Sequence, residues 1–163
     1  MPRLVPTDLV ALVQELLAAQ APVAEAMAVH CRFEGPPSAL VMAEAPKLRQ
    51  ALLNLFKNAL EAMSDGGELG FEVLPPPPPS AGEGGTPPWV ELRLTDTGPG
   101  LDEEMLREAF RPFKTSKHAG TGLGLAIVAR TVHAHGGSVT LENRPEGGAV
   151  ARVRLMPAPS DPA

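Results

Sequence analysis

Trp89-Val-Glu-Leu-Arg-Leu-Thr95 runs directly into Asp96-Thr-Gly-Pro-Gly100, and about twenty residues later the chain reads Gly120-Thr-Gly-Leu-Gly-Leu125. The first stretch alternates like a strand and ends in a carboxylate followed by two glycines. The second is a glycine cluster placed where a helix begins. Glycines recur where backbone must adopt positive φ or approach a ligand closely, and free N–H groups at a helix start suit phosphate. A carboxylate at a strand end supplies the complementary acceptor for the amino group of adenine; guanine presents an oxygen there and is repelled. Together the two clusters describe a nucleotide site. Taken alone, Asp96 also reads as an ordinary turn-capping aspartate.

Outward from these clusters, the spacing predicts a helix over Pro46 to Met63, with Pro at a first-turn position and Gly66-Gly67 past its end. Leu48, Leu52, Leu55, Phe56, Ala59 and Met63 form its apolar side. Gln50, Asn54, Asn58 and Glu61 form one polar stripe at spacings of four, four and three. Upstream, Thr7 is expected to cap a helix carrying Leu9, Leu12, Val13, Leu16 and Leu17 and ending near Pro22. Val29–Phe33 and Ala39–Met42 read as two strands of a hairpin around Gly35-Pro-Pro37. Glu68–Leu74 reads as a strand. Pro75 to Pro88 holds seven of the nineteen prolines and reads as an extended connector between neighbouring strands, with a proline-recognition ligand as the alternative. Leu125–His135 continues as a helix to Gly136-Gly137, and Ser138–Leu141 and Ala149–Leu155 alternate as strands around a turn at 145–148. The expected fold is α/β: a two-layer sandwich whose mixed sheet is covered on one face by helices.

Size and composition narrow the class. The 163 residues, 17.1 kDa, suffice for one substantial core and predict a single domain, with its body over about 7–157. At 44 % hydrophobic and 20 % charged residues the chain has globular composition. A net charge of −5 and pI of about 5.4 argue against a phosphate-contacting nucleic-acid surface. No stretch reads as a membrane span or secretory signal, so a cytoplasmic location is expected. The single Cys31 reads as a buried strand residue rather than a nucleophile.

Asn54 to Glu61, Asp96-Thr-Gly-Pro-Gly100, Phe110-Arg-Pro-Phe113 and Gly120-Thr-Gly-Leu-Gly-Leu125 resemble, in order and spacing, the N, G1, F and G2 boxes of sensor histidine kinases. Their ATP-binding (Bergerat-type) domain belongs to the superfamily of DNA gyrase, the ninety-kilodalton chaperones and the mismatch-repair ATPases. The run Phe110–Lys117 with Gly120–Leu125 is most similar to the nitrogen-regulation type, with a short ATP lid over about 102–121. The resemblance implies ATP and Mg²⁺ as ligands. Asp96 would accept from the adenine amino group, while Gly98 and Gly100 shape the base pocket. Asn58 would hold Mg²⁺, an ion that takes oxygen ligands and few of them from protein. Asn54 and Glu61 lie within a turn of it; for Glu61 a solvated helix face is the alternative. Gly120, Thr121, Gly122, Leu123 and Gly124 would offer N–H groups to the phosphates, with Lys117 the leading cationic partner and Arg111, Lys114 and His118 nearby in the lid. Phe110 and Phe113 would pack the lid rather than touch nucleotide. His133 and His135 read as structural.

Three departures matter. Where ATP-hydrolysing relatives carry a glutamate that activates water, this chain has Asn54, and an amide is no general base; transfer is therefore expected rather than hydrolysis. None of His30, His118, His133 or His135 stands in a phosphoacceptor motif, so the acceptor is expected on a separate dimerisation domain of the same kinase, with a response regulator reached indirectly and the isolated domain monomeric. Ala149 stands where the family commonly has a threonine whose hydroxyl helps hold the base through water. Anti-sigma-like protein serine kinases and degenerate, nucleotide-sensing kinases remain the alternative class.

Overall fold

In a computed structural model, which describes residues 1–76, 88–111 and 124–159, the elements run β1 (Val5–Asp8), α1 (Leu9–Ala26), β2 (Val29–Glu34), β3 (Leu40–Ala43), α2 (Ala45–Ala62), β4 (Gly67–Leu74), β5 (Val90–Asp96), α3 (Glu103–Glu108), α4 (Gly124–Ala134), β6 (Ser138–Asn143) and β7 (Ala149–Leu155). Five strands form one mixed sheet in the order β2-β4-β5-β7-β6. β2 and β4 are parallel and the remaining neighbours antiparallel. The period-two pattern read from the sequence sends Leu69, Phe71 and Val73 of β4, and Leu92 and Leu94 of β5, into the core. Helices α1, α2 and α4 cover that face, as expected for the sandwich. Phe56 of α2 and Phe71 of β4, both fully buried, lie nearly parallel with ring centroids 6.5 Å apart, tying helix to sheet.

Four expectations need correction. The N-cap of α1 is Asp8, not Thr7: its Oδ1 accepts from Val10 N–H at 3.1 Å and from Ala39 N–H at 3.0 Å, while the Thr7 hydroxyl donates to the Val5 and Ala43 carbonyls. Pro22 lies inside α1, which continues to Ala26. The strands β2 and β3 do not form a hairpin. β2 pairs in parallel with β4, and β3 pairs with β1, a strand the sequence pattern did not reveal. Last, α1 is long and apolar enough to cross a membrane by length and composition, with mean hydropathy 1.3 over 18 residues. Its Leu9, Val10, Leu12, Val13 and Ala24 nevertheless lie in the core.

The connector from β4 to β5 joins antiparallel neighbours, as read; its residues 77–87 lie outside the described residues. Cys31 is half-buried against the core in β2, and burial pushes its thiol pKa up, away from a reactive thiolate. His135 is structural in a specific way. It is 1 % exposed, its Nδ1 donates to the Thr131 carbonyl at 2.7 Å, and its Nε2 accepts from Glu44 N–H at 3.1 Å, which joins the end of α4 to the start of α2.

The opposite sheet face is charged, with Glu91 paired to Arg93 at 2.6 Å and to Arg154 at 3.0 Å, Arg93 to Glu72, and Arg152 to Glu142. Burial alone would raise the Glu91 carboxyl, but hydrogen bonds from Arg154 and then Arg93, with their charges, hold it below the ordinary glutamate range.

Two outcomes follow from these contacts. His135→Leu leaves the Glu44 amide without its acceptor and lowers unfolding free energy by about 1–3 kcal/mol in urea melts. For Glu91, a folded-state pKa below the unfolded one means that its stabilisation is complete above the ordinary glutamate range and is lost as pH falls through the lowered value. The stability gap between wild type and Glu91→Gln is therefore widest near neutrality and closes in acid.

Candidate nucleotide site

The strand β5 ends at Asp96, whose side chain turns to the core side, 8 % exposed, because it continues the alternation of Leu92 and Leu94. A carboxylate in that position needs donors. Gly98 N–H bonds its Oδ1 at 2.9 Å and Ala149 N–H bonds the same oxygen at 3.3 Å. Both of these donors use Oδ1.

Around this carboxylate lies a space of about 300 Å³, continuous with solvent, lined by Leu55, Asn58 and Ala59 of α2, Leu94 and Asp96 of β5, Phe110, Leu125 of α4, Leu141 of β6 and Ala151 of β7. Apolar surface with one amide and one carboxylate suits a flat heterocycle whose single amino edge is read by hydrogen bonding. Asn58 and Asp96, 38 residues apart in sequence, thus share one pocket. Phe110 lines it while also packing on the core, so it touches the cavity as well as anchoring the segment after α3.

The loop after Asp96 is fixed on three sides. The Thr97 hydroxyl accepts from Glu68 N–H at 3.0 Å. Gly98 lies so close to the end of α2 that a Cβ there would stand 2.8 Å from the Ala62 carbonyl oxygen, and Gly100 has φ of +79°. Asn143 bonds Leu101 through both ends of its amide, and Arg144 donates to the Asp96 carbonyl. Across the loop, Gly148 has φ of +81°, and a Cβ on it would run into the Asp96 carbonyl oxygen.

Other expected site residues fall differently. Asn54 is one turn before Asn58 and accepts from Gln50 Nε2 at 3.1 Å; neither Asn54 nor Glu61 is among the described pocket-lining residues. Gly124 opens α4, and among the described residues nothing lies within 4 Å of a Cβ added there. Arg111 is exposed and pairs with Glu108 at 3.3 Å. Lys117, Gly120, Thr121, Gly122 and Leu123, with Phe113, Lys114 and His118, lie outside the described residues, as does the expected lid from residue 112 on. The part of that segment before it contains α3, capped by Asp102, whose side chain accepts from Met105 N–H at 2.8 Å. Asn143 and Arg144 escape the sequence reading, because nothing in a polar hairpin turn announces that it reaches a loop more than forty residues away.

Fold and site define a two-layer α/β sandwich with a buried carboxylate at the end of its central strand, facing an open pocket. Residues 43–159 match the family described as histidine kinase-, DNA gyrase B- and HSP90-like ATPase, and the chain belongs to it. Among curated proteins it is 36 % identical over 131 residues to the sensor protein FixL of Bradyrhizobium diazoefficiens, an overlap of 80 % of this chain and 25 % of FixL. It is 34 % identical over 128 residues to the sensor histidine kinase ZraS of Klebsiella oxytoca, covering 78 % of this chain and 26 % of ZraS. The chain thus spans about a quarter of the length of these relatives. The catalytic domain of histidine kinase ThkA superposes with a TM-score of 0.79 at 28 % identity, covering 94 % of this chain and 95 % of that one. Full-length ShkA in complex with AMPPNP gives 0.78 at 28 % identity, covering 98 % of this chain and 32 % of ShkA. Within the family, this is the histidine-kinase type of ATP-binding catalytic domain.

Gly148→Ala sets a side chain at positive φ against the carbonyl that carries Asp96. It is expected to displace the loop, costing about 1–3 kcal/mol of stability in thermal melts and lowering ATP affinity in titrations of the folded protein.

Proposed function

We propose that the domain holds Mg·ATP and presents its γ-phosphate to a histidine on a separate dimerisation domain of the same kinase, from which a response regulator receives the phosphoryl group. The observation that carries this reading is the buried Asp96, set by two backbone donors and facing the same pocket as Asn58. Asp96 accepts from the adenine amino group; Gly98 and Gly100 let the loop approach the base.

Asn58 is the metal residue. Its amide oxygen is a hard donor at the pocket wall, and no group of three or more His, Cys, Asp or Glu residues is placed to form a cage among the described residues. That donor set fits Mg²⁺, which takes one or two protein oxygens and fills its sphere with phosphates and water. When bound, Mg²⁺ neutralises charge on the phosphates. Lys117 and the N–H groups of Gly120 to Gly124 serve the same end of the nucleotide, and Glu61 supports the stripe beside Asn58. Asn54, an amide held by Gln50, positions without abstracting a proton.

Catalysis is then mostly alignment and electrostatics. The acceptor imidazole nitrogen attacks the γ-phosphorus, the bond to the β–γ bridging oxygen breaks, and ADP leaves. His135 is 1 % exposed with both ring nitrogens engaged, which excludes it as acceptor. ATP as substrate favours a cytoplasmic setting; the domain by itself is monomeric and touches neither nucleic acid nor membrane.

Competition titrations of ATP and GTP test the central assignment. Asp96→Asn replaces an acceptor by a group that also donates, so the preference for ATP is expected to disappear; a retained preference refutes the adenine role. Wild-type affinity for ATP is expected to fall at least tenfold when Mg²⁺ is replaced by EDTA, about 1.4 kcal/mol, and Asn58→Ala is expected to lose most of that difference.

A further inference from the structure

The β5–β7 ladder ends at Thr95 opposite Val150. One residue later, the donor that reaches the Asp96 carbonyl comes from a side chain: Arg144 Nη1, at 3.0 Å. Arg144 is only 23 % exposed, and its Nε simultaneously donates to Glu146 Oε1 at 3.1 Å. A planar guanidinium holds two such bonds in fixed directions, which a lysine ammonium does not. The preceding residue makes a second clamp. Leu101 N–H donates to Asn143 Oδ1 at 2.8 Å, and Asn143 Nδ2 donates back to the Leu101 carbonyl at 2.6 Å. The same turn supplies Ala149 N–H to the Asp96 carboxylate, and it is itself closed by Arg144 N–H to the Gly148 carbonyl at 2.9 Å.

One hairpin turn therefore grips both ends of the segment Asp96–Leu101, through its first carbonyl and through both backbone groups of its last residue. Among the described residues neither Asn143 nor Arg144 lines this pocket, and the bonds given above run to the loop. We propose that Asn143 and Arg144 are positioning residues for base recognition: they set the pitch of the Asp96–Leu101 loop so that the Asp96 carboxylate presents an acceptor at the adenine amino edge. The inference rests on the adenine role of Asp96. Glu146 acts one step further out, by holding the guanidinium.

The test compares ATP and GTP affinities of the full 163-residue chain, by competition against a fluorescent ATP analogue in Mg²⁺, for wild type, Arg144→Met, Arg144→Lys, Asn143→Ala, Glu146→Gln and Asp96→Asn. Arg144→Met keeps the stem but removes the donors. It is expected to weaken ATP about threefold to tenfold and leave GTP unchanged, so that the preference narrows; Asn143→Ala acts in the same direction, and Arg144→Lys restores part of the loss. A role confined to stability lowers the melting temperature without narrowing the preference, or weakens both nucleotides equally, and either result overturns the proposal. Should Arg144→Met not fold, Glu146→Gln carries the test through its surface carboxylate, with a smaller narrowing expected and an unchanged preference overturning it. Asp96→Asn separates the two ideas. If it loses the preference while the turn variants keep it, the positioning role falls alone; if it keeps the preference, the adenine reading falls and the proposal with it.

Discussion

A carboxylate sits at the inner end of the central strand with 8 % of its surface exposed, and the surrounding architecture is arranged to tolerate it. An ion of that kind costs several kcal/mol when unpaired in the interior. The two donors recorded at Asp96 are backbone amides from opposite sides, Gly98 on its own loop and Ala149 on the neighbouring strand. Hydrogen bonds to charged groups contribute about 1.5–3 kcal/mol each, and the Ala149 bond, at 3.3 Å, is a long one. The balance leaves Asp96 with acceptor capacity to spare, in an apolar pocket. A buried acceptor of that kind discriminates strongly, because a ligand edge carrying an oxygen instead of an N–H adds repulsion to an already costly charge.

The Ala149 amide depends on the strand pairing, while the Gly98 amide reaches Asp96 from two residues along its own loop. β7 meets β5 antiparallel and in register up to Thr95 and Val150, which brings Ala149 alongside Asp96. The glycines around it then follow as consequences of crowding: Gly98 against the end of α2, Gly148 against the Asp96 carbonyl. The surroundings of Asp96 are thus the meeting point of α2, β4, β5 and the β6–β7 turn, with the Thr97 hydroxyl closing the β4 side.

What could be read in the sequence divides by range. α2, β4, β5 and β7 show their periods locally, since one face of each is apolar, and their boundaries agree with the structure to within a residue or two. Asp96 and Asn58 were legible as a pair because their boxes carry the resemblance, and the shared pocket follows. The hairpin expected for β2 and β3 failed because a Gly-Pro-Pro turn signals reversal but not partner. The partner is set by β4, whose register aligns Cys31 with Leu69 and Phe33 with Phe71. β1 was invisible for a related reason, being four residues that include a proline and pair only with β3. Pro22 misleads because a proline late in a helical pattern reads as its stop, whereas α1 runs one further turn and closes with Met27 N–H on the Val23 and Ala24 carbonyls. The clamps at Asn143 and Arg144 are long-range polar contacts from a turn, a class that local pattern does not encode.

Ala149 shows why backbone support matters here. In resembling kinases a threonine at this position helps hold the base through its hydroxyl, and the methyl group of Ala149 forfeits that bond. The N–H of the same residue, however, still reaches Asp96, because strand pairing and not side-chain identity places it. On the proposed reading, alanine at this position forgoes an outer contact to the base while leaving the backbone support of the carboxylate in place. The backbone support at this position is thus tied to the fold, whereas the side-chain contact is not.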